Sequence, residues 1–463
     1  MAGSQQTITP IDGSIYVERT LASGAEIDKA LTAARKAAQK WKDLPVEERG
    51  KILSRAVDAF VARRDEIAEE ITRQIGRPLS QAPGEVRGFE ERARHMIAIA
   101  PEALADVAVG DKPGFTRFIR REPLGVAFVV APWNFPYLTA VNAVIPALMA
   151  GNAVILKHSA QTPLCAERFA QAFKAAGLPK GLFQFLHLSH ADTAKLIGSD
   201  GVDFVAFTGS VAGGRAVQQA AAERFIGIGL ELGGCDPAYV RPDAKLPHAI
   251  ENLVDGAFFN SGQSCCGIQR IYVHADVYKP FLEGFVDLTR NYRLGNPLDA
   301  DTNLGPVVRA SAADQIRKQV AKAVRNGAKA LIDAKPFKAA KKGTAYLAPQ
   351  VLTVTSNGNP IMQDECFGPV AAIMKVRNDD QAIRLMNDNA YGLTAAIWTA
   401  DEDAAIRIGD RIATGTWFMN RCDYLDPALA WTGVKDSGRG CTLSKVGYEH
   451  LTRPKSFHLR TAI

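Results

Sequence analysis

Residues 126–130 are Val126-Ala127-Phe128-Val129-Val130, an apolar run of strand length with no polar alternation. Such runs are typical of strands that are buried on both faces of a parallel sheet. Similar short runs follow at 153–157, 183–186 and 204–207. Helical patterns lie between them, so this part of the chain predicts a doubly wound parallel sheet.

The segments on either side of this centre extend the pattern. Residues 25–41, 46–63 and 65–75 are rich in Ala, Glu, Lys and Arg, with apolar residues at helical spacing, which predicts helices. After Gly234 a second alternating stretch begins, with predicted strands over 271–274, 329–332 and 370–376. We therefore expect two α/β units that meet near Gly233-Gly234.

Composition excludes several classes of protein. The 463 residues exceed one ordinary domain, and the net charge of +6 is mostly scattered, so we expect no nucleic-acid partner. The uncharged stretch 123–156 is broken by prolines, glycine and asparagines, which argues against a membrane span. The seven cysteines lack CxxC spacing, so neither a zinc site nor a disulfide framework is predicted. No signal peptide is apparent, and we expect a cytoplasmic protein.

Three segments carry the groups that acyl chemistry needs. Cys265 ends Asn260-Ser261-Gly262-Gln263-Ser264-Cys265, Glu231 lies in Gly229-Leu230-Glu231-Leu232-Gly233, and Asn134 lies in Pro132-Trp133-Asn134-Phe135-Pro136. A thiol can attack a carbonyl carbon, an amide can donate to the resulting oxyanion, and a carboxylate can activate water. We therefore select Cys265, Asn134 and Glu231 as candidate catalytic residues.

With these segments in this order, the chain resembles the aldehyde dehydrogenase superfamily over nearly its whole length. Further matching segments are Gly151-Asn152-Ala153-Val154-Ile155-Leu156-Lys157, Phe207-Thr208-Gly209-Ser210, Glu365-Cys366-Phe367-Gly368-Pro369 and Gly433-Val434-Lys435-Asp436-Ser437-Gly438. The resemblance implies NAD(P)-dependent, hydrolytic oxidation of an aldehyde. It also implies a Rossmann-like cofactor domain (1–104 and 124–233), a catalytic domain (234–441) and a small β oligomerisation arm (105–123 and 442–463) in a homodimer or homotetramer.

The cofactor site is weakly marked by motif alone, because the chain has no GxGxxG. The turn at Gly209 and Ser210 follows a predicted strand and opens a predicted helix, where a pyrophosphate can approach the backbone. The resemblance implies that NAD or NADP binds here, with Ser210 on the pyrophosphate. It further implies Trp133 beside the adenosine ribose, Lys157 on the ribose hydroxyls, and Glu365 with Phe367 at the nicotinamide ribose.

One departure from the family concerns cofactor choice. Many NAD-preferring members have a glutamate three residues after the lysine of this strand, and here that position is Ala160. Nothing at Ala160 would repel a 2′-phosphate, while Lys157 and His158 are expected to attract one. This leads to the hypothesis that the chain accepts NADP more readily than NAD-specific relatives do, unless a neighbouring group replaces the glutamate.

The choice of Cys265 over Cys266 as nucleophile rests on the resemblance, since the family's nucleophile follows Gly-Gln-x. We predict that Cys266 is a packing residue, with a reversible disulfide to Cys265 as the alternative. A CoA-acylating or phosphorylating relative would typically lack Glu231. A thiohydrolase would need a histidine partner, and a non-catalytic member would be expected to have lost these three residues.

The substrate is less defined than the reaction. The resemblance places Leu138, Thr139 and Asn142 along the substrate tunnel, and succinate-semialdehyde enzymes often have an arginine at the position of Asn142. Apolar or aromatic lining is expected from Phe258, Phe259 and Tyr424. An aliphatic or aromatic aldehyde is therefore favoured, with a semialdehyde as the alternative.

Overall fold

The computed structural model describes residues 3–422 and 424–463. An antiparallel pair and a group of helices come first: β1 (Ser4–Ile8), β2 (Ile15–Thr20), α1 (Gly24–Trp41), α2 (Val46–Val61), α3 (Arg64–Ile75) and α4 (Pro83–Ala103). Ser23 and Glu26 form a capping box at the start of α1, and α3 ends at left-handed Gly76. The helices predicted over 25–41, 46–63 and 65–75 are confirmed, with each end within two residues.

The first large sheet is preceded by two strands of a smaller one, β3 (Val107–Ala108) and β4 (Phe115–Pro123). Its strands and helices alternate: β5 (Val126–Ala131), α5 (Pro136–Met149), β6 (Ala153–His158), α6 (Pro163–Ala175), β7 (Phe183–Phe185), α7 (His190–Gly198), β8 (Phe204–Thr208), α8 (Val211–Ala220) and β9 (Gly227–Glu231). These strands are parallel in the order β9-β8-β5-β6-β7, and β5 and β6 are buried throughout. The predicted parallel sheet is confirmed.

This strand order contains a switch point between β5 and β8. From β5 the chain adds β6 and β7 on one side, and then returns to add β8 and β9 on the other. In such sheets a crevice opens where the two directions diverge, at the carboxyl ends of the strands. Trp133 and Asn134 follow β5 at this edge, Gly209 and Ser210 follow β8, and Glu231 ends β9.

The second large sheet follows directly. It contains β10 (Asp236–Val240), α9 (Leu246–Phe258), β11 (Ile268–His274), α10 (Tyr278–Arg290), α11 (Ala310–Arg325), β12 (Lys329–Ala330), β13 (Gln350–Val354), β14 (Val370–Val376), α12 (Asp379–Asn387), β15 (Thr394–Trp398), α13 (Glu402–Gly409) and β16 (Thr416–Met419). The order is β12-β13-β14-β11-β10-β15-β16, with β12 antiparallel to its neighbour. Neighbouring residues such as Ala238 and Tyr239 join cores on opposite faces, which explains the apolar runs.

The C-terminal strands return to earlier parts of the chain. β17 (Gly438–Arg439) pairs with β9, and Gly438 lies opposite Glu231. β18 (Thr452–Arg460) pairs along its whole length with β4 and completes the small sheet with β3, where Phe118 stacks on Phe457. The predicted α/β class, with two doubly wound sheets and a small β unit, is confirmed. Among the described residues, no helix has the length and apolarity that crossing a membrane requires.

Candidate active site

Two cavities meet at the carboxyl edge of the first sheet. One, of about 360 Å³, opens between α4, α5 and the segment after α9, and the other, of about 330 Å³, lies between β8, α11 and residues 365–367. Both are lined by Thr208, Glu231, Leu232 and Cys265. The candidate thiol and carboxylate therefore lie on the wall that separates the two cavities.

The loop that carries Cys265 has an unusual backbone. Asn260, Ser261 and Gly262 all have positive φ values, of 51°, 56° and 70°. A Cβ at Gly262 would lie 2.1 Å from the carbonyl oxygen of Gly368, so only glycine fits there. The loop presents Cys265 to the cavities in a half-buried position, while Cys266 is 3% exposed and packs in the core.

Asn134 is held against this loop. Its side chain is 5% exposed, and its amide nitrogen donates to the carbonyl oxygen of Gln263 at 3.2 Å. One amide N–H is used in this way, which leaves the second for another acceptor. The backbone N–H of Cys265 makes no hydrogen bond to the described backbone. The structure thus brings the side-chain amide of Asn134 to the loop that carries Cys265, 131 residues away along the chain.

A buried ion pair fixes Asn134, and the sequence analysis did not identify it. Arg77 and Glu85 are both buried and lie 2.5 Å apart, and Arg77 donates to the carbonyl oxygen of Asn134 at 2.5 Å. Arg77 also donates to Asn260 at 3.0 Å. Glu85 accepts the first backbone N–H groups of α5, from Tyr137 and Leu138. The signal that the sequence offered was Glu85, a charged residue at a buried position of α4.

Glu231 is held by two threonine hydroxyls. Thr442 donates to one carboxylate oxygen at 2.5 Å and Thr208 to the other at 3.2 Å. Burial raises the pKa of Glu231, and these hydrogen bonds oppose the rise. A carboxyl with a raised pKa beside a thiol is suited to exchange protons with water. The sequence analysis missed Thr442, which lies 211 residues away along the chain.

The second cavity contains most of the predicted cofactor residues. Trp133, Gly209, Ser210, Glu365 and Phe367 all line it. Ser210 caps α8 by accepting from Gly213, so the N-terminus of this helix faces the cavity edge. A Cβ at Gly209 would lie 2.7 Å from the Phe207 ring, so the turn is kept narrow and its backbone open. This helix terminus and the glycine turn fit the pyrophosphate of a dinucleotide.

Glu365 is positioned by the glycines after β9. The backbone N–H of Gly234 donates to its carboxylate at 3.1 Å, and a Cβ at Gly233 would lie 2.5 Å from that carboxylate. Burial raises the pKa of Glu365 to about 7. Nearby, Trp133 and Phe367 meet edge to face at 5.6 Å. Polar and aromatic groups are thus combined in a small space, as a nucleoside requires.

Lys157 and Ala160 lie outside the lining of this cavity. Lys157 is buried at the end of β6 beside β5, with its pKa lowered by burial, and Ala160 is exposed. The expectation that His158 adds positive charge is wrong. Its ring is fully enclosed against the carbonyl oxygen of Pro136, and burial lowers its pKa to about 4, so it is neutral near pH 7.

The first cavity contains most of the predicted substrate lining. Leu138, Thr139 and Asn142 line it, as do Phe259 and Tyr424. The expectation for Phe258 is wrong, because this ring is on the core face of α9, where it packs against Phe285 and Tyr292. Phe259 is the first residue after α9 and its backbone, with φ −52° and ψ 141°, is not helical, so the chain turns here and the two rings separate. Arg92, which the sequence analysis did not select, also lines this cavity.

Comparison with known proteins gives a consistent result. A family described as "Aldehyde dehydrogenase family" matches residues 2–457. The chain is 34% identical over 455 residues to succinate-semialdehyde dehydrogenase [NADP(+)] 1 of Mycobacterium tuberculosis (strain ATCC 25618 / H37Rv), covering 97% of this chain and 98% of that protein. It is 34% identical over 463 residues to 3,6-anhydro-alpha-L-galactose dehydrogenase of Streptomyces coelicolor, covering 100% and 94%. The solved structure of succinic semialdehyde dehydrogenase from Streptococcus pyogenes with NADP+ has a TM-score of 0.94 at 27% identity, covering 98% of this chain and 100% of that one.

Proposed function

Because this chain belongs to the aldehyde dehydrogenase family, and oxidises an aldehyde to a carboxylic acid with NAD or NADP, we propose that Cys265, Asn134 and Glu231 carry out its chemistry. The observation that supports this proposal is the shared wall of the two cavities. Cys265 and Glu231 line both cavities, so each can act on a substrate in one beside a cofactor in the other.

In the proposed cycle, the Cys265 thiolate forms a C–S bond to the aldehyde carbon, and the carbonyl electron pair moves onto oxygen. The free N–H of Asn134 and the backbone N–H of Cys265 donate to this oxyanion. A nicotinamide in the second cavity would supply the hydride acceptor. As the carbon of the adduct loses hydride, the oxyanion re-forms the C=O bond and a thioester remains on Cys265. Glu231 then takes a proton from water, whose oxygen attacks the thioester, and the acid leaves as the thiolate is restored.

We assign the second cavity to the dinucleotide. In this assignment Ser210 and the Gly209 turn hold the pyrophosphate at the start of α8, and Trp133 lies beside the adenosine ribose. Glu365 and Phe367 hold the nicotinamide ribose. The carboxylate of Glu365 suits the ribose hydroxyls, because it has one oxygen on the backbone N–H of Gly234 and acceptor capacity to spare.

Acceptance of NADP is a separate proposal that rests on Lys157 and Ala160. In the described part of the chain Lys157 has no carboxylate partner, and position 160 carries no charge that would oppose a 2′-phosphate. The NADP-dependent relatives are in line with this. Steady-state specificity constants for the two cofactors test it, and a preference above about a thousandfold for NAD, roughly 4 kcal/mol, contradicts it.

The remaining assignments concern substrate and assembly. The apolar lining from Leu138, Phe259 and Leu425 suits an aliphatic or aromatic aldehyde, and the relatives' names favour the semialdehyde alternative as well. Glu231 disfavours a CoA-acylating enzyme.

We assign 1–104 and 124–233 to the cofactor domain and 234–441 to the catalytic domain. The arm, 105–123 and 442–463, would join protomers of a cytoplasmic homodimer or homotetramer through its exposed strands.

Replacement of Glu231 with Gln tests the cycle. The amide keeps the size of the side chain but cannot take a proton from water, so hydride transfer should continue while hydrolysis stops. We expect a burst of about one equivalent of reduced cofactor per active site, and an intact-protein mass increased by the acyl group. Cys265→Ala is the matched control and should show neither. A folded Glu231→Gln variant with no burst and no adduct would place Glu231 before hydride transfer.

A further inference from the structure

Arg92 is a buried cation in the wall of the first cavity. It lies on α4, is 7% exposed, and lines the same cavity as Cys265 and Glu231. Burying a guanidinium without a carboxylate partner costs free energy, because the charge loses its hydration. Among the described residues no carboxylate lies within ion-pair distance of Arg92, although one lies nearby on the same helix. A buried charge of this kind would be stabilised by a negatively charged ligand that enters the cavity.

The nearby carboxylate is committed elsewhere. Glu85 is one of the negative groups that act on Arg92, but it already receives Arg77 and two backbone N–H groups from α5. Arg92 also lines the cavity that contains Glu231 and Cys265, and neither of these groups forms an ion pair or hydrogen bond with it among the described contacts. Arg92 is therefore close to the reacting centre and is not neutralised by it.

The hydrogen bonds of Arg92 use only part of its guanidinium. One terminal nitrogen donates to the carbonyl oxygen of Leu138 at 2.7 Å and to the side-chain oxygen of Asn142 at 3.2 Å. In the described part of the chain, the other terminal nitrogen and Nε have no acceptor, and neither is sealed from the cavity. The two bonds fix the plane of the group and leave its remaining donors for a ligand.

The other charges of this cavity do not compete for that role. Each guanidinium nitrogen of Arg77 already has an acceptor, in Asn260, Glu85 or Asn134. Arg87 is exposed. Glu91 and Asp255 are also exposed, and Glu91 accepts the Tyr424 hydroxyl. Arg92 is thus the inner cation of the lining, with the polar side chain of Asn142 at its side.

We propose that Arg92, oriented by Asn142, binds a carboxylate at the far end of the aldehyde substrate, so that the preferred substrates are short semialdehydes. The inference rests on the proposed function and narrows its substrate. A carboxylate fits better than a phosphate, because a single planar guanidinium matches two oxygens and one charge. Position 142 is asparagine in this chain, where succinate-semialdehyde enzymes often have an arginine. The fold brings Arg92 of α4 into contact with that asparagine.

The test compares two aldehydes of equal length, 4-oxobutanoate and butanal, in the native protein and its variants. A hydrogen-bonded charge pair of this kind corresponds to about a tenfold to hundredfold preference. We expect native kcat/KM for 4-oxobutanoate to exceed that for butanal by at least this factor. In Arg92→Met the preference should disappear, mainly through a higher KM for 4-oxobutanoate, with butanal changed less than about threefold.

Two further variants make the outcome decisive. Arg94→Met removes an arginine from the exposed side of the same helix, where it pairs with Asp58 and Glu90, and should leave both substrates within about twofold. Arg92→Lys keeps the charge without the planar fork and should retain part of the preference, which covers the case that Arg92→Met does not fold.

Failure of the Arg92 proposal can be distinguished from failure of the proposed function. Equal native kcat/KM for the two aldehydes overturns the anchor and leaves aldehyde oxidation intact. An equal loss of kcat for both substrates in the Arg92 variants, with the acid limb of the pH profile moved, also overturns it, because Arg92 would then stabilise the thiolate. Oxidation of neither aldehyde, nor of a wider panel, counts against the proposed function itself.

Discussion

Replacing Thr442 with Val should move the pH dependence of thioester hydrolysis. Val has nearly the shape of Thr, and the backbone of Thr442 is fixed by two hydrogen bonds with Trp431, so the change removes a hydroxyl and little else. That hydroxyl donates to Glu231 at 2.5 Å, which stabilises the charged form of the carboxylate. Without it the pKa of Glu231 should rise further above its ordinary range.

The magnitude follows from the bond that is lost. A hydrogen bond to a charged group contributes about 1.5–3 kcal/mol, and each pH unit corresponds to about 1.4 kcal/mol. Glu231 is partly open to the cavities, where water can replace a lost donor, so the lower end applies. A general base works only when deprotonated. The acid limb of the profile should therefore move to higher pH by about one unit, while the plateau rate stays within about threefold.

The assay is rapid-quench release of the carboxylic acid after a burst of cofactor reduction, followed across pH. Thr442→Ser restores the hydroxyl and should restore the native limb. Thr208→Val removes the longer bond, of 3.2 Å, and should move the limb less. An unmoved limb in Thr442→Val, or a move to lower pH, would refute the reasoning, as would a Ser variant that behaves like Val.

Three further changes test other parts of the site. Cys265→Ala should abolish aldehyde oxidation and leave cofactor binding near normal in a fluorescence titration, and residual turnover above about one per cent would contradict this. Asn134→Ala should lower kcat about a hundredfold to a thousandfold, roughly 3–4 kcal/mol, since one oxyanion donor is lost; an effect on KM alone would assign Asn134 to substrate positioning. Asp236 is buried, and its pKa is raised to about 8, so its contribution to stability is present below pH about 4 and is lost as pH rises through about 8. As pH rises over this range, the apparent Tm should fall less for the Asp236→Asn variant than for the native protein. Equal falls in the two proteins would exclude Asp236 as the cause.

Much of the fold could be predicted because its signals are local. The helices over 25–41, 46–63 and 65–75 follow from apolar spacing, and β5 and β6 follow from apolar runs that are buried on both faces. β8 follows from a short apolar run that is only partly buried. Other strands were not predicted. β10 begins with Asp236 and Pro237, which are poor strand formers, and becomes a central strand only because β11 and β15 pair with it.

The candidate site shows the same division. Cys265, Asn134 and Glu231 were identified from their segments, because glycine and proline turns mark the places where a side chain is presented. Phe258 was placed wrongly, since its lining role depended on the rotation of α9, which packing determines. Arg77 and Glu85 were missed, because Arg77 lies between α3 and α4 and Glu85 at the start of α4, and only the fold shows that they pair and contact Asn134.

The sequence by itself therefore determined the α/β architecture, the family, and the order of the candidate catalytic groups along the chain. Tertiary structure alone decided the electrostatic surroundings of those groups. It brought Thr442 to Glu231 across 211 residues, and it set Arg92 beside Asn142 with no carboxylate partner among residues 3–422 and 424–463. Backbone preferences act between neighbours in the chain, whereas charges and hydrogen bonds act through distances that exist only after the segments have packed together.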